Sequence, residues 1–452
     1  MILSQILAIA IFAVMFIAIV GGKVHRFIPA LIGAALTIIV VFLVVLKSPA
    51  EVLSVLNFAQ LGQFRFWVPG QEHIESYGVN WQTIVFIGGM MVMVEGLGEV
   101  GFFRWICLLT AKLVNYRVVP ILIAFMLLSG FLAMFIDSIT VMLFMASVTI
   151  ELARLLKFDP VPVIIAEIFA ANTGGAATMC GDPPNIIIGT AFGYTFTDFA
   201  VNTGPIAWVG MILALGFFYF AFRKTLTSSH KGADTPINHY PEPSEAIINP
   251  HLFRINTAIF ILVVVLLVTH AQTGISVALI GVIAAFLTLL AAARMAPHII
   301  KRVDWRTLLF FMGLFITVGG LEGTGVLRML AEYIGTVSGG NLLLLIPIIL
   351  WVSAFASAIV DNIPFAATMV PVIASLSRTY GLSLPTLSWT LALGTDIGGN
   401  ATPIGASANV VGTAIAEKEG YPIGWGRFIK YALPAMIIVV AMCHLLLIVR
   451  YA

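Results

Sequence analysis

Charged side chains are scarce in this sequence. Asp, Glu, Lys and Arg together make up 10% of the residues, and the formal net charge is only +2. A soluble globular protein carries about 25% charged residues, so the composition excludes that class. No basic run is present that would neutralise a phosphate backbone, and we expect no nucleic-acid partner.

Cysteine and nucleotide-binding motifs are also lacking. The three cysteines are scattered at Cys107, Cys180 and Cys443, without a CxxC pair, so neither a disulfide framework nor a zinc site is expected. No GxxxxGK[ST] motif occurs, and ATP hydrolysis within this chain is therefore not expected. An external ATPase subunit stays open. We expect no catalytic residues, no enzymatic activity, and no cofactor apart from a bound Na⁺ or H⁺.

Apolar residues are abundant instead. They form 60% of the chain, and the mean hydropathy is +1.06. Runs long enough to cross a bilayer recur at 2–21, 28–46, 203–222, 275–293 and 430–449. The first run has no basic start and no A-x-A site, so we interpret it as a retained helix rather than a signal peptide. The sequence predicts an all-α polytopic membrane protein whose surroundings are the lipid bilayer.

The chain contains two copies of one unit. A shift of 224 residues aligns the first half with the second without a gap from about 80 to 190. The matching pairs include Trp81 with Trp305, Gly89 with Gly313, Gly101 with Gly325, Arg104 with Arg328, and Asp137 with Asp361. Compositional bias would not align such different residue types at one offset, so the halves are repeats.

The sequence of each half predicts five membrane-spanning helices and one re-entrant hairpin, with broken helices at the core. Because five crossings are an odd number, the second copy is expected to be inverted relative to the first. The predicted first repeat is 1–222, with a scaffold at 1–117, a transport part at 118–190 and a final helix at 203–222. A cytoplasmic linker at 223–253 follows. The second repeat is 254–452, with a scaffold at 254–341, a transport part at 342–414 and a final helix at 430–449.

The distribution of charge predicts the orientation of the chain. Basic residues fall on one side, which is then cytoplasmic: Lys23, Arg26, Arg104, Lys112, Arg117, Lys157, Arg223, Lys224, Arg294, Lys301, Arg302, Lys418, Arg427 and Lys430. Acidic residues fall opposite: Glu51, Glu72, Glu75, Asp198 and Glu332. The N-terminus is therefore expected outside, in a bacterial or archaeal cell membrane.

Two polar stretches interrupt the apolar sequence at equivalent places. "NTGGAATMCGDPPN" at 172–185 aligns with "DIGGNATPIGASAN" at 396–409. Non-helical backbone at membrane depth is tolerated only inside the protein or beside a water-filled cavity, so both stretches predict helix breaks that face the bundle interior. Asp182 is expected to cap the half-helix that Pro183 begins. The candidate ion- or substrate-binding residues in the breaks are Asn172, Thr173, Gly174, Gly175, Thr178, Gly181, Asp182, Asn185, Asp396, Gly398, Gly399, Asn400, Thr402, Gly405 and Asn409.

A second pair of interruptions lies at the predicted hairpin tips. "FIDSITVML" places Asp137 and Ser138 at the first tip, and "IVDNIPFAA" places Asp361 and Asn362 at the second. A charged group at bilayer depth costs about 3 kcal/mol or more and usually marks an ion pathway. Such oxygen ligands suit Na⁺ or H⁺, and the expected sodium ligands are Asp137, Asn172, Asp361 and Asp396. Glu167 is a further candidate for proton relay.

The sequence closely resembles the P-protein-like branch of the ion transporter superfamily. The resemblance rests on "GGAATMCGDPPNIII", "ASAIVDNIPFAATMVPV" and "GGNATPIGASANVVGTAIAEKEGY", and it covers nearly the whole chain. The superfamily includes ArsB-type arsenite pumps, NhaD-type sodium/proton antiporters, citrate transporters and dicarboxylate/sodium symporters. It implies homodimerisation through the scaffold and an elevator motion of the hairpins and broken helices. The Ser-Asn-Thr tips of the symporters correspond here to 137–139 and 361–363, and the family's break glycines to Gly174, Gly175, Gly398 and Gly399.

An aspartate replaces serine at both tips, and no Arg or Lys lies in the four interruptions to compensate it. This departure argues against a dianionic substrate. The expected function is therefore secondary active, proton-coupled export of a small inorganic ion such as arsenite or antimonite. Na⁺/H⁺ antiport, sodium- or proton-coupled carboxylate transport, and an ion channel are the alternatives.

Overall fold

The computed structural model describes residues 2–22, 24–68, 77–230 and 240–451. Lys23, Glu72 and Glu75, three of the charges that predict orientation, lie outside these residues, as does 231–239 of the expected linker. The helices of the first half are α1 (Leu3–Val20), α2 (Phe27–Leu36), α3 (Pro49–Leu56), α4 (Phe64–Trp67), α5 (Trp81–Glu99), α6 (Phe102–Leu113), α7 (Val118–Ala133), α8 (Ser138–Leu156), α9 (Val161–Gly175), α10 (Pro183–Phe192) and α11 (Phe196–His230). Helix α2 continues as a π-helix over Thr37–Val45.

The second half repeats this order. Its helices are α12 (Pro250–Thr273), α13 (Val277–Ala291), α14 (Ala296–Arg302), α15 (Trp305–Gly323), α16 (Val326–Ser338), α17 (Leu342–Ile359), α18 (Asn362–Tyr380), α19 (Leu384–Gly398), α20 (Ser407–Lys418) and α21 (Trp425–Tyr451). Among the described residues there is no strand, and nine helical stretches are long and apolar enough to cross a membrane. The all-α polytopic prediction is confirmed, and the inverted orientation of the halves stays a prediction.

Local sequence explains where the helices of the two repeats begin. Asn80 caps α5 by accepting a hydrogen bond from the backbone N–H of Thr83, and Asp304 caps α15 through Thr307 in the same way. Gly101 and Gly325, which precede α6 and α16, adopt positive φ angles of 85° and 78°. The start of α15 lies 224 residues after that of α5, and the same offset relates α16 to α6.

Close helix packing interlocks the two halves. A Cβ atom on Gly89 of α5 would lie 2.1 Å from the backbone oxygen of Gly281 in α13, so only glycine permits this approach. At the equivalent contact, a Cβ on Gly313 of α15 would lie 2.7 Å from the backbone of Ala30 in α2. Each half therefore packs its third long helix against the second long helix of the other half. Small residues allow such backbone contact between membrane helices.

Two features of the helices differ from the sequence prediction. Helix α11 runs from Phe196 to His230, so 223–230, expected in the linker, is helical, and α12 begins at Pro250 within the expected linker. No Pro or Gly interrupts "RKTLTSSH", and Leu226 is buried, so the helix continues past the apolar run. Helices α6 and α16 were not predicted, because they are short and amphipathic and do not form a long apolar run.

Candidate functional site

The two hairpins end in short turns that aspartate holds. Helices α7 and α8 meet at the first tip, where Asp137 caps α8 by accepting a 3.0 Å hydrogen bond from the N–H of Thr140. Helices α17 and α18 meet at the second tip, where Asp361 accepts a 3.2 Å hydrogen bond from the N–H of Ile363. Both aspartates lie at the expected places. Thr140 donates to both carboxylate oxygens of Asp137, whereas the helix that follows Asp361 engages only its Oδ1.

The two helix breaks lie between α9 and α10 and between α19 and α20. In the first, the side-chain amide of Asn185 donates to the carbonyls of Gly175 (3.2 Å) and Thr178 (3.0 Å). In the second, Asn409 donates to the carbonyls of Gly399 and Thr402, both at 2.7 Å. Each asparagine thus replaces backbone hydrogen bonds that the unwound helix has lost, which satisfies the requirement for buried polar groups.

Asp182 occupies the expected capping position of α10, but its side chain does not cap the helix. Pro183 and Pro184 have no N–H to donate, and the N–H of Asn185 bonds to the backbone oxygen of Asp182. The carboxylate instead accepts hydrogen bonds from Ser138 (2.6 Å) and Asn362 (2.7 Å). The predicted side-chain cap is therefore wrong, and one buried carboxylate joins both hairpin tips.

Most of the predicted glycines and threonines hold the breaks against the hairpins. A Cβ on Gly174 would lie 2.2 Å from the backbone oxygen of Gly130, and one on Gly398 would lie 2.3 Å from Cα of Ala354. A Cβ on Gly181 would lie 2.4 Å from the backbone oxygen of Ala133, and one on Gly405 would lie 2.8 Å from that of Ser357. Gly175 and Gly399 instead face Gly181 and Gly405 of their own breaks, where a Cβ would lie 3.0 Å from the backbone oxygen. Thr178 and Thr402 donate to the carbonyls of Met134 and Ala358 in the hairpins, whereas Thr173 bonds within its own helix to Phe169. These residues shape the site rather than offer free ligands to it.

A polar cluster lies where the two breaks meet. The amide nitrogen of Asn172 donates to Asn400 Oδ1 (3.0 Å) and Asn409 Oδ1 (2.8 Å), so it connects the two halves. The repeat counterpart of Asn172 is Asp396, and the carboxylate of Asp396 lies beside Asp182 and Asn185. All of these side chains are fully or almost fully buried.

The two equivalent positions in this cluster differ in their hydrogen bonding. Asn172 donates to Asn409, whereas its counterpart Asp396 has only acceptor atoms to present beside Asn185. Within the described residues, neither oxygen of Asp396 has a hydrogen-bond donor, nor do Asn185 Oδ1 and Asn172 Oδ1. The amide of Asn185 cannot be reversed, because its nitrogen already serves two carbonyls. The same cluster holds one buried donor without a partner, Asn400 Nδ2. A proton or a cation would satisfy the buried acceptors.

Arg26 reaches the second hairpin tip from the segment between α1 and α2. Its guanidinium donates to Asp361 Oδ2 (2.7 Å), to Ser407 at the start of α20, and to Thr307 Oγ1 (3.0 Å). It also lies over the ring of Phe310, 4.9 Å from the centroid. The four interruptions hold no Arg or Lys, as the sequence shows, but Asp361 is nevertheless paired with a basic residue. The neutralising arginine lies outside the four interruptions and 335 residues from its partner.

Asp137 and Glu167 stand apart from the central cluster. Asp137 lines a small cavity with Thr307 and Cys180 and has no bond to Asp182. Glu167 is fully buried between α8 and α9, where Thr149 donates to Oε1, and Oε2 has no donor among the described residues. No group of three His, Cys, Asp or Glu side chains with metal-binding geometry occurs in the described part of the chain.

A family model described as citrate transporter matches residues 13–394. The chain belongs to this family. The resemblance to the wider ion transporter superfamily is thereby confirmed. The chain is 33% identical to a 46 kDa membrane protein of Mycobacterium leprae over 99% of both chains. It is 35% identical to an uncharacterized transporter of Mycobacterium tuberculosis, over 78% of this chain and 82% of the relative. It is also 29% identical to the human P protein, over 84% of this chain and 54% of that protein.

Two solved membrane transporters share the fold of this family member. The YdaH transporter of Alcanivorax borkumensis aligns with a TM-score of 0.51 at 15% identity, over 88% of this chain and 86% of that one. MtrF of Neisseria gonorrhoeae, described as an antimetabolite efflux pump, aligns with a TM-score of 0.52 at 13% identity, over 93% and 92%. These two structures show the fold. The family match, the relatives named as transporters and the apolar helices make this family member an integral membrane transporter.

Proposed function

We propose that this chain is a secondary active transporter whose coupling ion, H⁺ or Na⁺, binds between Asp182 and Asp396. The observation that carries the proposal is the set of buried acceptors without donors at Asp396, Asn185 and Asn172. In the first half, the amide of Asn172 supplies the donor that Asn409 accepts. In the second half, aspartate replaces that amide, and a bound ion takes the place of the missing donor.

Both coupling ions fit the chemistry of this cluster. A proton on Asp396 would donate to Asn185 Oδ1, as Asn172 donates to Asn409, or would be shared with the neighbouring Asp182. A sodium ion would use the same carboxylate and amide oxygens as hard ligands. Exchange of the two ions at one site is the function that this arrangement supports best. The transporter is then a Na⁺/H⁺ antiporter, or couples one of these ions to another solute.

Transport measurements in proteoliposomes, described below, also test which second solute is transported. Arsenite and antimonite, the leading prediction from the sequence, are uncharged hydroxides at neutral pH, and their O–H groups would match the unsatisfied acceptors. A carboxylate such as citrate is favoured by the description of the family and by Arg26, which brings a guanidinium to the second tip. Arg26 weakens the argument against an anionic substrate.

The contacts between the scaffold and the transport part support an elevator motion. Thr83 of the scaffold contacts Thr190 near the end of α10, with 2.8 Å between the hydroxyl oxygens. Its counterpart Thr307 is joined through Arg26 to Ser407 at the very start of α20. Thr190 lies seven residues beyond Pro183, the counterpart of Ser407. The two contacts therefore differ by about 10 Å along the transport helices, which in an inverted repeat places the transport part about 5 Å from the position where both contacts would be equivalent.

Proteoliposomes with an internal pH dye test the proposal. The purified protein is challenged in turn with Na⁺, Li⁺, arsenite and citrate, with choline chloride at the same ionic strength as the blank. We expect a Na⁺-dependent pH change that Asp396→Asn and Asp182→Asn abolish, because an amide takes up no proton and supplies no negative charge to balance Na⁺. Asp396→Asn is expected to fold normally, since its new amide can donate to Asn185 as Asn172 does to Asn409.

Asp159→Asn is the matched control, because Asp159 pairs with Arg427 at the protein surface, remote from the breaks. It should leave the pH change intact. Full cation-dependent proton movement in Asp396→Asn would overturn the proposed site. A unitary current through a planar bilayer would instead support the channel alternative. Homodimerisation, the external N-terminus and a location in a bacterial or archaeal cell membrane are further proposals that rest on the family and on charge distribution.

A further inference from the structure

The segment between α1 and α2 carries an arginine that the proposed transport site does not use. Arg26 is the residue immediately before α2, and its side chain is 19% exposed. It belongs to the scaffold, together with Thr307 and Phe310, which position its guanidinium by a hydrogen bond and by ring contact. Its other two partners, Asp361 and Ser407, belong to the transport part.

A cavity of about 370 Å³ opens beside this contact. It is lined by Arg26, His25 and Asp304 on the scaffold side, and by Asp361 and Ser407 on the transport side. The second tip is therefore accessible to water-sized molecules where the arginine holds it. Among the residues that the structure describes, no arginine or lysine pairs with the first tip, and Asp137 accepts hydrogen bonds from its own Thr140. The two tips are thus chemically alike but differ in counter-charge.

We propose that Arg26 is a positioning residue that replaces the transported cation on Asp361 at one end of the transport cycle. The inference rests on the proposed function and extends it to the second tip. A guanidinium fixed on the scaffold gives Asp361 its positive partner only while the transport part occupies the displaced position. When the transport part moves away, Asp361 loses this partner and requires a Na⁺ ion or a proton instead.

Two consequences distinguish this role from simple packing. At the Arg26 end, the guanidinium competes with the cation for Asp361, which favours cation release on this side. Across the cycle, an unloaded Asp361 cannot leave Arg26 without exposing an uncompensated carboxylate inside the membrane, which is costly. Arg26 therefore suppresses movement of the empty transport part and couples movement to cation binding.

Disulfide trapping in membranes tests, without any transport assay, whether Arg26 holds the transport part in this state. Thr83→Cys and Thr190→Cys are introduced together into a variant that lacks the three native cysteines, which are buried and unpaired. Because their hydroxyl oxygens are 2.8 Å apart here, the pair should form a disulfide rapidly in this state. Arg26→Gln should slow its formation by about tenfold, as expected when a charge-assisted interaction holding one state is lost.

Arg306→Gln is the matched control, because Arg306 is an exposed arginine of the same end of α15. It should leave the rate unchanged. Addition of NaCl in place of choline chloride should slow the disulfide in the parent protein but not further in Arg26→Gln. Arg26→Lys keeps the charge but loses the planar set of guanidinium donors, so it should give an intermediate rate. This variant replaces Arg26→Gln in the experiment if Arg26→Gln does not accumulate in the membrane.

Transport measurements test whether Arg26 competes with the cation and couples movement of the transport part to cation binding. In Arg26→Gln, the half-saturating Na⁺ concentration on the Arg26 side should fall and net turnover should fall with it, while Na⁺/Na⁺ exchange continues. An unchanged disulfide rate and an unchanged half-saturating concentration in Arg26→Gln would overturn the inference, even if coupled transport is observed. An altered disulfide rate in a protein that moves no cation would instead overturn the proposed function and leave Arg26 as a contact that holds this state.

Discussion

At the scale of single residues, the site depends on small differences between repeated positions. Asn172 and Asp396 occupy equivalent places, and so do Pro183 and Ser407. At the first position, the second repeat has a carboxylate in place of the amide donor. At the second position, it has the hydroxyl that Arg26 contacts. Shared residues close the breaks, as Asn185 and Asn409 do, and form the tips, as Asp137 and Asp361 do, whereas Asn172 and Asp396 differ in hydrogen bonding. In the proposed function, the repeat builds the frame of the site, and the departure from symmetry at Asp396 provides the place for the coupling ion.

His25 provides a residue-scale prediction that needs no transport assay. It lies between α1 and α2, outside both helices, and burial followed by the adjacent Arg26 guanidinium lowers its pKa below 6.5. Asp304 opposes this shift and Arg306 adds to it. Removal of a nearby positive charge favours the protonated imidazole, so Arg26→Gln should raise the pKa of His25. Because burial remains, the pKa should stay below its ordinary value.

The measurement is a pH titration of isotope-labelled histidine by NMR in detergent micelles. His25 is assigned from the spectrum of His25→Gln, and His251, in the first turn of α12, serves as the internal comparison. A His25 midpoint that does not move in Arg26→Gln would mean that the guanidinium does not lie beside the imidazole. That result would also argue against the placement of Arg26 at the second tip.

At the scale of elements, close approach between the broken helices and the hairpins decides the geometry. Gly174→Ala should destabilise the fold, because its Cβ would lie 2.2 Å from the carbonyl oxygen of Gly130, where backbone must shift. Overpacking of this kind costs about 1–3 kcal/mol. The apparent melting temperature, measured by fluorescence in detergent, should fall by several degrees.

Gly216→Ala in α11 is the control for this substitution. A Cβ at Gly216 would meet nothing within 4 Å, and alanine is favoured over glycine in a helix by about 1 kcal/mol. This variant should be as stable as the parent protein or slightly more so. Equal melting temperatures for the two variants would show that α7 and α9 are not held in backbone contact.

The elements also show what could be predicted from the sequence. Long apolar runs predicted the membrane-spanning helices, and clusters of Gly, Pro and Asp predicted the hairpin tips and the breaks, because these signals are local. The amphipathic helices α6 and α16 gave no such run. The contacts of Arg26 were also missed, since the 335 residues between it and Asp361 leave no periodic signal. Only the tertiary packing of α2, α15 and the second hairpin brings these residues together.

At the scale of the whole molecule, the structure corresponds to one end of the proposed cycle. The two halves of the scaffold make unequal contacts with the transport part, through Thr83–Thr190 on one side and through Arg26 on the other. In the opposite state, we expect the two halves of the scaffold to exchange these contacts: the second half then contacts the end of its half-helix, and the first half contacts the start of its own. In that state, Thr307 should lie beside Ala414, the counterpart of Thr190, and Thr83 should approach Pro183 at the start of α10.

A second cysteine pair tests this exchange. Thr307→Cys with Ala414→Cys should form a disulfide slowly in the displaced state, because Ala414 lies seven residues beyond Ser407, or about 10 Å along α20. It should form faster when Arg26→Gln releases the second tip, under the same conditions that slow the Thr83–Thr190 pair. A pair placed farther along α20, such as Thr307→Cys with Lys418→Cys, which lies 11 residues or about 16 Å beyond Ser407, controls for random encounters. If the two rates do not change in opposite directions, the transport part does not move as a single body, and the elevator proposal fails.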